Sequence, residues 1–260
     1  MSEPCVLFER VDDVARLVLN RPDAMNAMNM TLMKDLRSAA ERCAAESVRA
    51  VVVTGAGKAF SAGGDLGAFG DADDPSQLLK ALTVELHAAQ VTLANLDAPV
   101  IAAVNGTAAG AGLSLACSCD YVVATEKAKF TMAYTGAGLV PDGGSTFFLP
   151  RLIGLRRTQE LMLTNRVLTA SEALDWQLIN QVAAPEELDA EAMKLAGRLA
   201  TGPSRAFGQV KRLLLASAGR ELEAQLDLEG DSIAASAGTP DGQEGIRAFL
   251  EKRKPAFKGA

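Results

Sequence analysis

The sequence predicts an α/β core followed by a helical C-terminal part, on three observations. Short β-branched apolar runs, at residues 50–54 and 99–105, alternate with stretches of helical spacing, a pattern that argues for an α/β layer structure. Glycine-rich turns follow both runs, at Gly55-Ala56-Gly57 and from Gly106 to Gly112. Beyond about Ser171 the pattern is nearly all helical.

In chain order, residues 6–11 and 14–20 are apolar runs parted by Asp12-Asp13 and read as a β-hairpin. Residues 31–45 carry Leu32, Leu36, Ala39, Ala40 and Cys43 at helical spacing. Residues 50–54 form a buried strand, and Ser76 caps a long helix to about Asn95, with Leu79, Leu82, Leu86, Ala89 and Leu93 on one face. Residues 99–105 are a second buried strand and 106–112 a loop of small residues. A helix over 113–119 and a strand over 121–124 follow, then helices at 171–176, 185–200, 204–218 and 221–233. The polar, turn-rich stretch 69–77 reads as a mobile rim.

Composition narrows the function. The chain has 260 residues, 48% hydrophobic and 22% charged, ordinary for a globular protein of one or two domains. Lys and Arg total 26 against 32 Asp and Glu, and a net charge of −6 attracts no nucleic-acid backbone. Four cysteines in so long a chain make no disulfide scaffold and fit a reducing cytoplasm. Neither a signal peptide nor a membrane-spanning run is visible, so no membrane is expected. One His and a lone Cys117-x-Cys119 pair argue against a metal site. Gly55-Ala56-Gly57-Lys58 is no P-loop, because Ala59 follows the lysine. Gly110-Ala111-Gly112 is no dinucleotide fingerprint, because Leu115 stands at the third glycine.

The chemistry concentrates in two loops, residues 59–66 (Ala-Phe-Ser-Ala-Gly-Gly-Asp-Leu) and 105–114 (Asn-Gly-Thr-Ala-Ala-Gly-Ala-Gly-Leu-Ser). Small residues let a ligand approach the backbone closely. The second loop also opens a helix, whose free N–H groups favour negative charge. Two such donors aimed at one carbonyl oxygen would form an oxyanion hole.

With these segments the chain resembles the crotonase (enoyl-CoA hydratase/isomerase) superfamily. The resemblance runs from Leu19-Asn20-Arg21-Pro22 through the two loops, Gly138-Leu139-Val140-Pro141-Asp142-Gly143-Gly144 and Ala170-Ser171-Glu172-Ala173 to Phe249-Leu250-Glu251-Lys252-Arg253-Lys254-Pro255. It implies a spiral of ββα units over residues 1–200, carrying the CoA and oxyanion site. A helical trimerisation region over 201–260 would build homotrimers or hexamers. It implies an acyl-CoA thioester substrate, with coenzyme A as part of that substrate and no separate cofactor. The oxyanion donors fall on the N–H groups of Gly64 and Ala111. Coenzyme A contacts fall on Ala24, Met25, Ala62, Asp65 and Leu66, and Phe257-Lys258 resembles the pair that reaches the nucleotide, often from a neighbouring subunit.

The reaction type turns on carboxylates. At the two positions where hydratases of this family carry the glutamates that activate water, this chain has Ser114 and Tyr134. Neither hydroxyl serves as a general base near neutral pH. Asp142 remains, where epoxyphenylacetyl-CoA isomerases, related enoyl-CoA isomerases and 4-chlorobenzoyl-CoA dehalogenases place a functional aspartate. The first reading is isomerase-type proton transfer through a thioester enolate, with Asp142 as base and Tyr134 shaping the acyl pocket. The alternative is a dehalogenase, with Asp142 as nucleophile and His87, the one histidine, activating water. Segment 156–166 favours the second, and Pro141 with Tyr134 in place of tryptophan the first. A generic hydratase, a non-catalytic acyl-CoA binder and a His87-Ser114-Asp142 hydrolase are lesser readings; no Gly-x-Ser-x-Gly elbow is present.

Overall fold

The computed structural model describes residues 3–260. Strands β1 (Val6–Val11) and β2 (Val14–Leu19) pair antiparallel around Asp12-Asp13. Helix α1 (Met30–Ala45) follows, capped by Asn29, whose side chain accepts from Leu32 N at 2.9 Å. Strand β3 (Ala50–Gly55) leads to the short β4 (Ala59–Ser61), then to helices α2 (Leu66–Gly70) and α3 (Pro75–Asn95). The next unit is β5 (Val100–Val104), β6 (Thr107–Ala109) and α4 (Ala111–Cys117). The third is β7 (Tyr121–Thr125), β8 (Lys129–Thr131) and α5 (Ser145–Leu152). Helix α6 (Gly154–Thr164), β9 (Leu168–Thr169), α7 (Ala170–Asp175) and β10 (Gln181–Ala183) lead to helices α8 (Leu188–Ala200), α9 (Ser204–Ser217), α10 (Leu222–Ala237) and α11 (Pro240–Leu250).

The six-stranded sheet runs β1-β2-β3-β5-β7-β10, parallel from β2 onward. The four-stranded sheet runs β4-β6-β8-β9. Each unit places one strand in the large sheet, one in the small sheet and then a helix, so the chain advances as a spiral of ββα turns.

Alternation along the strands divides the core. Val51, Val53, Ala102 and Val104 face Leu32 and Leu36 of α1 and Leu82 and Leu86 of α3. Ala50, Val52, Ile101 and Ala103 face Leu188, Ala192, Ala196 and Ala200 of α8. Both faces of the parallel sheet are therefore covered, as successive residues pointing to opposite sides require.

Lys211 pins α9 to this core. Its side chain, only 9% exposed, reaches Asp120 Oδ2 at 2.9 Å and donates to the carbonyls of Leu93 and Ala98 at 3.1 and 2.9 Å.

The structure departs from the sequence reading in places. Helix α3 is capped by Asp74, which accepts from Gln77 N at 3.0 Å, with Pro75 at its first position, and not by Ser76. Proline lacks the N–H that a first-turn position leaves unpaired, so the Asp-Pro pair sets the start. The loop expected at 106–112 contains β6. Stretch 69–77 is the end of α2, a turn and the start of α3. Helix α10 continues to Ala237, and α11 adds a further apolar stripe.

Candidate active site

The two glycine-rich loops meet. Gly63, at φ +93°, sits so close to the second loop that a Cβ there would stand 2.8 Å from Ala109 O and 3.3 Å from Ala111 N. Gly110, at φ +49° and ψ −125°, turns β6 into α4; L side chains rarely adopt that conformation. At Gly112 a Cβ would lie 2.5 Å from Ser61 O, so α4 is pressed against β4.

Gly64 lies beside this junction, held by Met28 N donating to Gly63 O at 2.7 Å and Asp65 N donating to Met28 O at 3.2 Å. The N–H groups of Gly64 and Ala111 have no acceptor among the described residues. Both residues line one cavity of about 280 Å³. Two neighbouring unpaired donors on a cavity wall are the makings of an oxyanion hole.

The cavity is mostly apolar. Met33 of α1, Phe69 of α2, Leu79 and Leu82 of α3, and Leu139 and Val140 line it, with Thr83, Tyr134 and Asp142 as polar side chains. The Phe69 ring lies against Gly64, where a Cβ would stand 2.8 Å from Cζ. Periodicity placed Leu79 and Leu82 on one face of α3, and Phe69 opens the stretch read as a rim, but Thr83 carried no sequence signal for this wall.

Asp142 sits on the turn before α5. Its main-chain oxygen accepts from Ser145 Oγ at 2.9 Å and Ser145 N at 3.2 Å. Gln90 of α3 steadies the next residue, donating to Gly143 O at 2.9 Å. Tyr134 donates its hydroxyl to Asp142 Oδ1 at 2.5 Å and contacts Ser114 Oγ at 3.2 Å. Burial, then the Asp142 charge and this hydrogen bond, hold the Tyr134 phenol well above its ordinary range, so it stays a neutral donor.

The remaining candidates fall in three places. Ala62 and Leu66 line the cavity. Ala24 and the exposed Met25 lie beside it, tied in by Ala62 N donating to Met25 O at 3.0 Å. Asp65 is occupied internally: it pairs with Arg21 at 3.0 Å and accepts from Ala68 N at 3.3 Å at the start of α2. Burial acts to raise its pKa, but Arg21 and the α2 amides outweigh it and hold the carboxyl below its usual range.

His87 stands 3.9 Å from Asp142, Nε2 to Oδ2, half-exposed on a separate cavity lined by Gln90, Ser118, Gly143 and Phe148. Ser114 bonds to Gly110 O and Tyr134, not to His87, so no Ser-His-Asp relay is formed. Phe257 and Lys258 lie in the C-terminal tail, where Lys258 N donates to Asp241 Oδ1 at 2.7 Å, and neither lines the acyl cavity of this chain. Among the described residues no cluster of metal-ligating side chains occurs, and no helix is long and apolar enough to cross a membrane.

The structure is a spiral of ββα units whose cavity carries two unpaired amide donors and a carboxylate. Residues 9–260 match the enoyl-CoA hydratase/isomerase family, and the chain belongs to it, as an acyl-CoA enzyme of the crotonase superfamily. The 1,2-epoxyphenylacetyl-CoA isomerase of Escherichia coli is 39% identical over 95% of each chain. A 4-chlorobenzoyl coenzyme A dehalogenase of Arthrobacter sp. is 34% identical, over 96% of this chain and 92% of its own. The crystal structure of an enoyl-CoA hydratase from Polaromonas sp. superposes with a TM-score of 0.92 at 32% identity, covering 97% and 99% of the two chains. The fold is the crotonase fold.

Proposed function

We propose that the protein is an enoyl-CoA isomerase-type enzyme in which Asp142 moves a proton along an acyl chain while Gly64 and Ala111 hold the thioester oxygen. The observation that carries this is a single carboxylate, Asp142, on the wall that also bears the two unpaired amides. Asp142 Oδ2, which accepts no hydrogen bond among the described residues and lies 3.9 Å from His87 Nε2, takes the proton α to the thioester. The C–H electron pair moves into a dienolate whose oxygen accepts from both amides. The same carboxyl then returns the proton at the γ carbon, and the double bond has moved. The apolar wall limits water, which strengthens both steps. Ser114 and Tyr134 leave no glutamate pair to activate water, which disfavours hydration.

A second reading has one observation in its favour, the 3.9 Å approach of His87 to Asp142. In a 4-halobenzoyl-CoA dehalogenase-like hydrolase, Asp142 attacks the halogen-bearing aryl carbon and halide leaves. His87 then removes a proton from the water that hydrolyses the resulting ester.

The proposal includes a homotrimer or hexamer with no cofactor beyond the substrate's own coenzyme A, working in the cytoplasm. Leu214, Leu222, Ile233 and Phe249 of α9–α11 are largely exposed apolar side chains that such an assembly would cover. Phe257 and Lys258 would then reach the nucleotide bound by a neighbouring copy.

Assays with 3-enoyl-CoA, 2-enoyl-CoA and 4-halobenzoyl-CoA separate the readings. Isomerisation lost in Asp142→Ala and kept in His87→Ala supports the first; halide release requiring both residues supports the second. Rapid hydration of 2-enoyl-CoA overturns both, and binding without turnover on any substrate leaves an acyl-CoA-binding protein.

A further inference from the structure

The two positions that lack glutamate are joined into one hydrogen-bonded chain. Tyr134 OH donates to Asp142 Oδ1 at 2.5 Å and lies 3.2 Å from Ser114 Oγ. Ser114 Oγ in turn donates to Gly110 O at 3.2 Å. Gly110 O and Ala111 N belong to the same peptide group, and Ala111 N–H is one of the two unpaired donors of the cavity. The chain therefore runs without a break from the carboxylate to an oxyanion donor.

We propose that Tyr134 and Ser114 are positioning residues that lock the base and the oxyanion hole into one rigid unit. This rests on the reading of Asp142 as a proton-transfer base. Tyr134 is partly buried, and its phenol, held well above its ordinary range by burial and by Asp142, stays neutral and remains a donor. By taking Oδ1 it leaves Oδ2 as the reacting oxygen and fixes the carboxylate plane. Ser114 is fully buried. A donor on Gly110 O draws electron density from the 110–111 amide, which makes Ala111 N–H a stronger donor and fixes its direction.

Proton counting supports the coupling. Tyr134 and Ser114 together hold two hydroxyl hydrogens for three contacts. While Asp142 is ionised, Tyr134 gives its hydrogen to the carboxylate, and Ser114 can give its own to Tyr134 or to Gly110 O. Once Asp142 carries the substrate proton, Oδ1 is a weaker acceptor, and the Tyr134 hydrogen can turn to Ser114 Oγ. Ser114 then has only Gly110 O as acceptor. The oxyanion peptide is thus best polarised while the enolate exists. No bond beyond these hydrogen bonds is made or broken, and no other reactant is needed.

A Cβ on Gly143 would lie 2.8 Å from Ser114 Cβ, so the Asp142 turn is seated directly on Ser114. A single side-chain exchange therefore tests the chain without moving the loop, provided it adds no atoms: Tyr134→Phe and Ser114→Ala each delete one oxygen.

The test combines three measurements on the full-length protein. The first is kcat and KM for 3-enoyl-CoA isomerisation by both single variants and the double variant. Each single variant is expected to lose about 10- to 100-fold in kcat with KM nearly unchanged, since misplaced reacting groups cost rate more than binding. The double variant is expected to lose much less than the product of the two. The second is the absorbance red shift of a bound aromatic enoyl-CoA, which reports carbonyl polarisation without turnover. Ser114→Ala is expected to shrink the shift and Tyr134→Phe to leave it. The third is deuterium uptake from D2O at the α carbon of a saturated arylacetyl-CoA, followed by NMR, which needs only the base and the oxyanion hole; both variants are expected to slow it. Losses that multiply, or a red shift untouched by Ser114→Ala, overturn the proposal. Absent isomerisation in the unaltered protein would count against the isomerase reading alone, because the second and third measurements still decide the coupling. The red-shift titration also shows that each variant is folded and binds.

Discussion

Gly63 and Ala111 touch across two separate glycine-rich loops: a side chain at Gly63 would begin 3.3 Å from the Ala111 nitrogen and 2.8 Å from Ala109 O. With φ at +93°, Gly63 also holds a conformation that alanine resists. The contact sets the spacing of the two amide donors, because Gly64 follows Gly63 directly. Gly63→Ala is expected to destabilise the fold by about 1–3 kcal/mol and to lower kcat by about 100-fold or more through a spread oxyanion hole. Urea unfolding and steady-state turnover check the two effects separately.

Lys211 is a buried lysine outside the site, held by Asp120 and two main-chain carbonyls. Lys211→Met removes the partner of Asp120 and leaves the carbonyls of Leu93 and Ala98 without this donor. A loss of about 1–3 kcal/mol in unfolding free energy is expected, because the Leu93 and Ala98 carbonyls lose a buried donor while Asp120 stays partly solvated. The acyl cavity is lined by other residues, so turnover per folded molecule should hold. Thermal unfolding alongside an activity assay at low temperature checks both.

Alkaline stability follows from Tyr134. Its pKa in the fold is raised above the ordinary 10.0, by burial first and by Asp142 next. Above pH 10 the unfolded chain releases this proton while the folded one keeps it, so the unfolded state binds fewer protons and stability falls as pH rises. The contribution is fully present below pH 10 and disappears above it. Urea unfolding between about pH 9 and pH 11 should show a steeper decline for the unaltered protein than for Tyr134→Phe.

Most of the large sheet was legible in the sequence, its central strands as unbroken apolar runs: residues 50–54 and 99–105 fall on β3 and β5, while the three-residue edge strand β10 was not read. The small sheet was not. Its strands β4, β6, β8 and β9 have two or three residues each, too short to show any alternation, and β6 lies inside a run of small residues that reads as loop. The end of α10 and all of α11 were not read as separate elements and fell within the stretch read only as a helical C-terminal region; Gly238 closes α10, and Thr239 with Pro240 opens α11.

In the site, the glycine loops marked two segments that permit close approach, and the family resemblance placed the donors on Gly64 and Ala111 within them. The Tyr134–Asp142 bond had no such mark. It depends on a turn in which Ala133 (φ 55°), Gly138, Gly143 and Gly144 all take left-handed conformations, and the alanine gives no hint of it. His87 was found as a residue, but not its placement on the outer side of Asp142 and away from the acyl cavity.

The most direct test of the central claim is 3-enoyl-CoA isomerisation by Asp142→Asn, which keeps the shape of the side chain and removes its basicity. The account predicts a fall in kcat of about 100- to 10,000-fold, with the affinity for a non-isomerisable acyl-CoA unchanged. An Asp142→Asn protein that isomerises at the unaltered rate would contradict it.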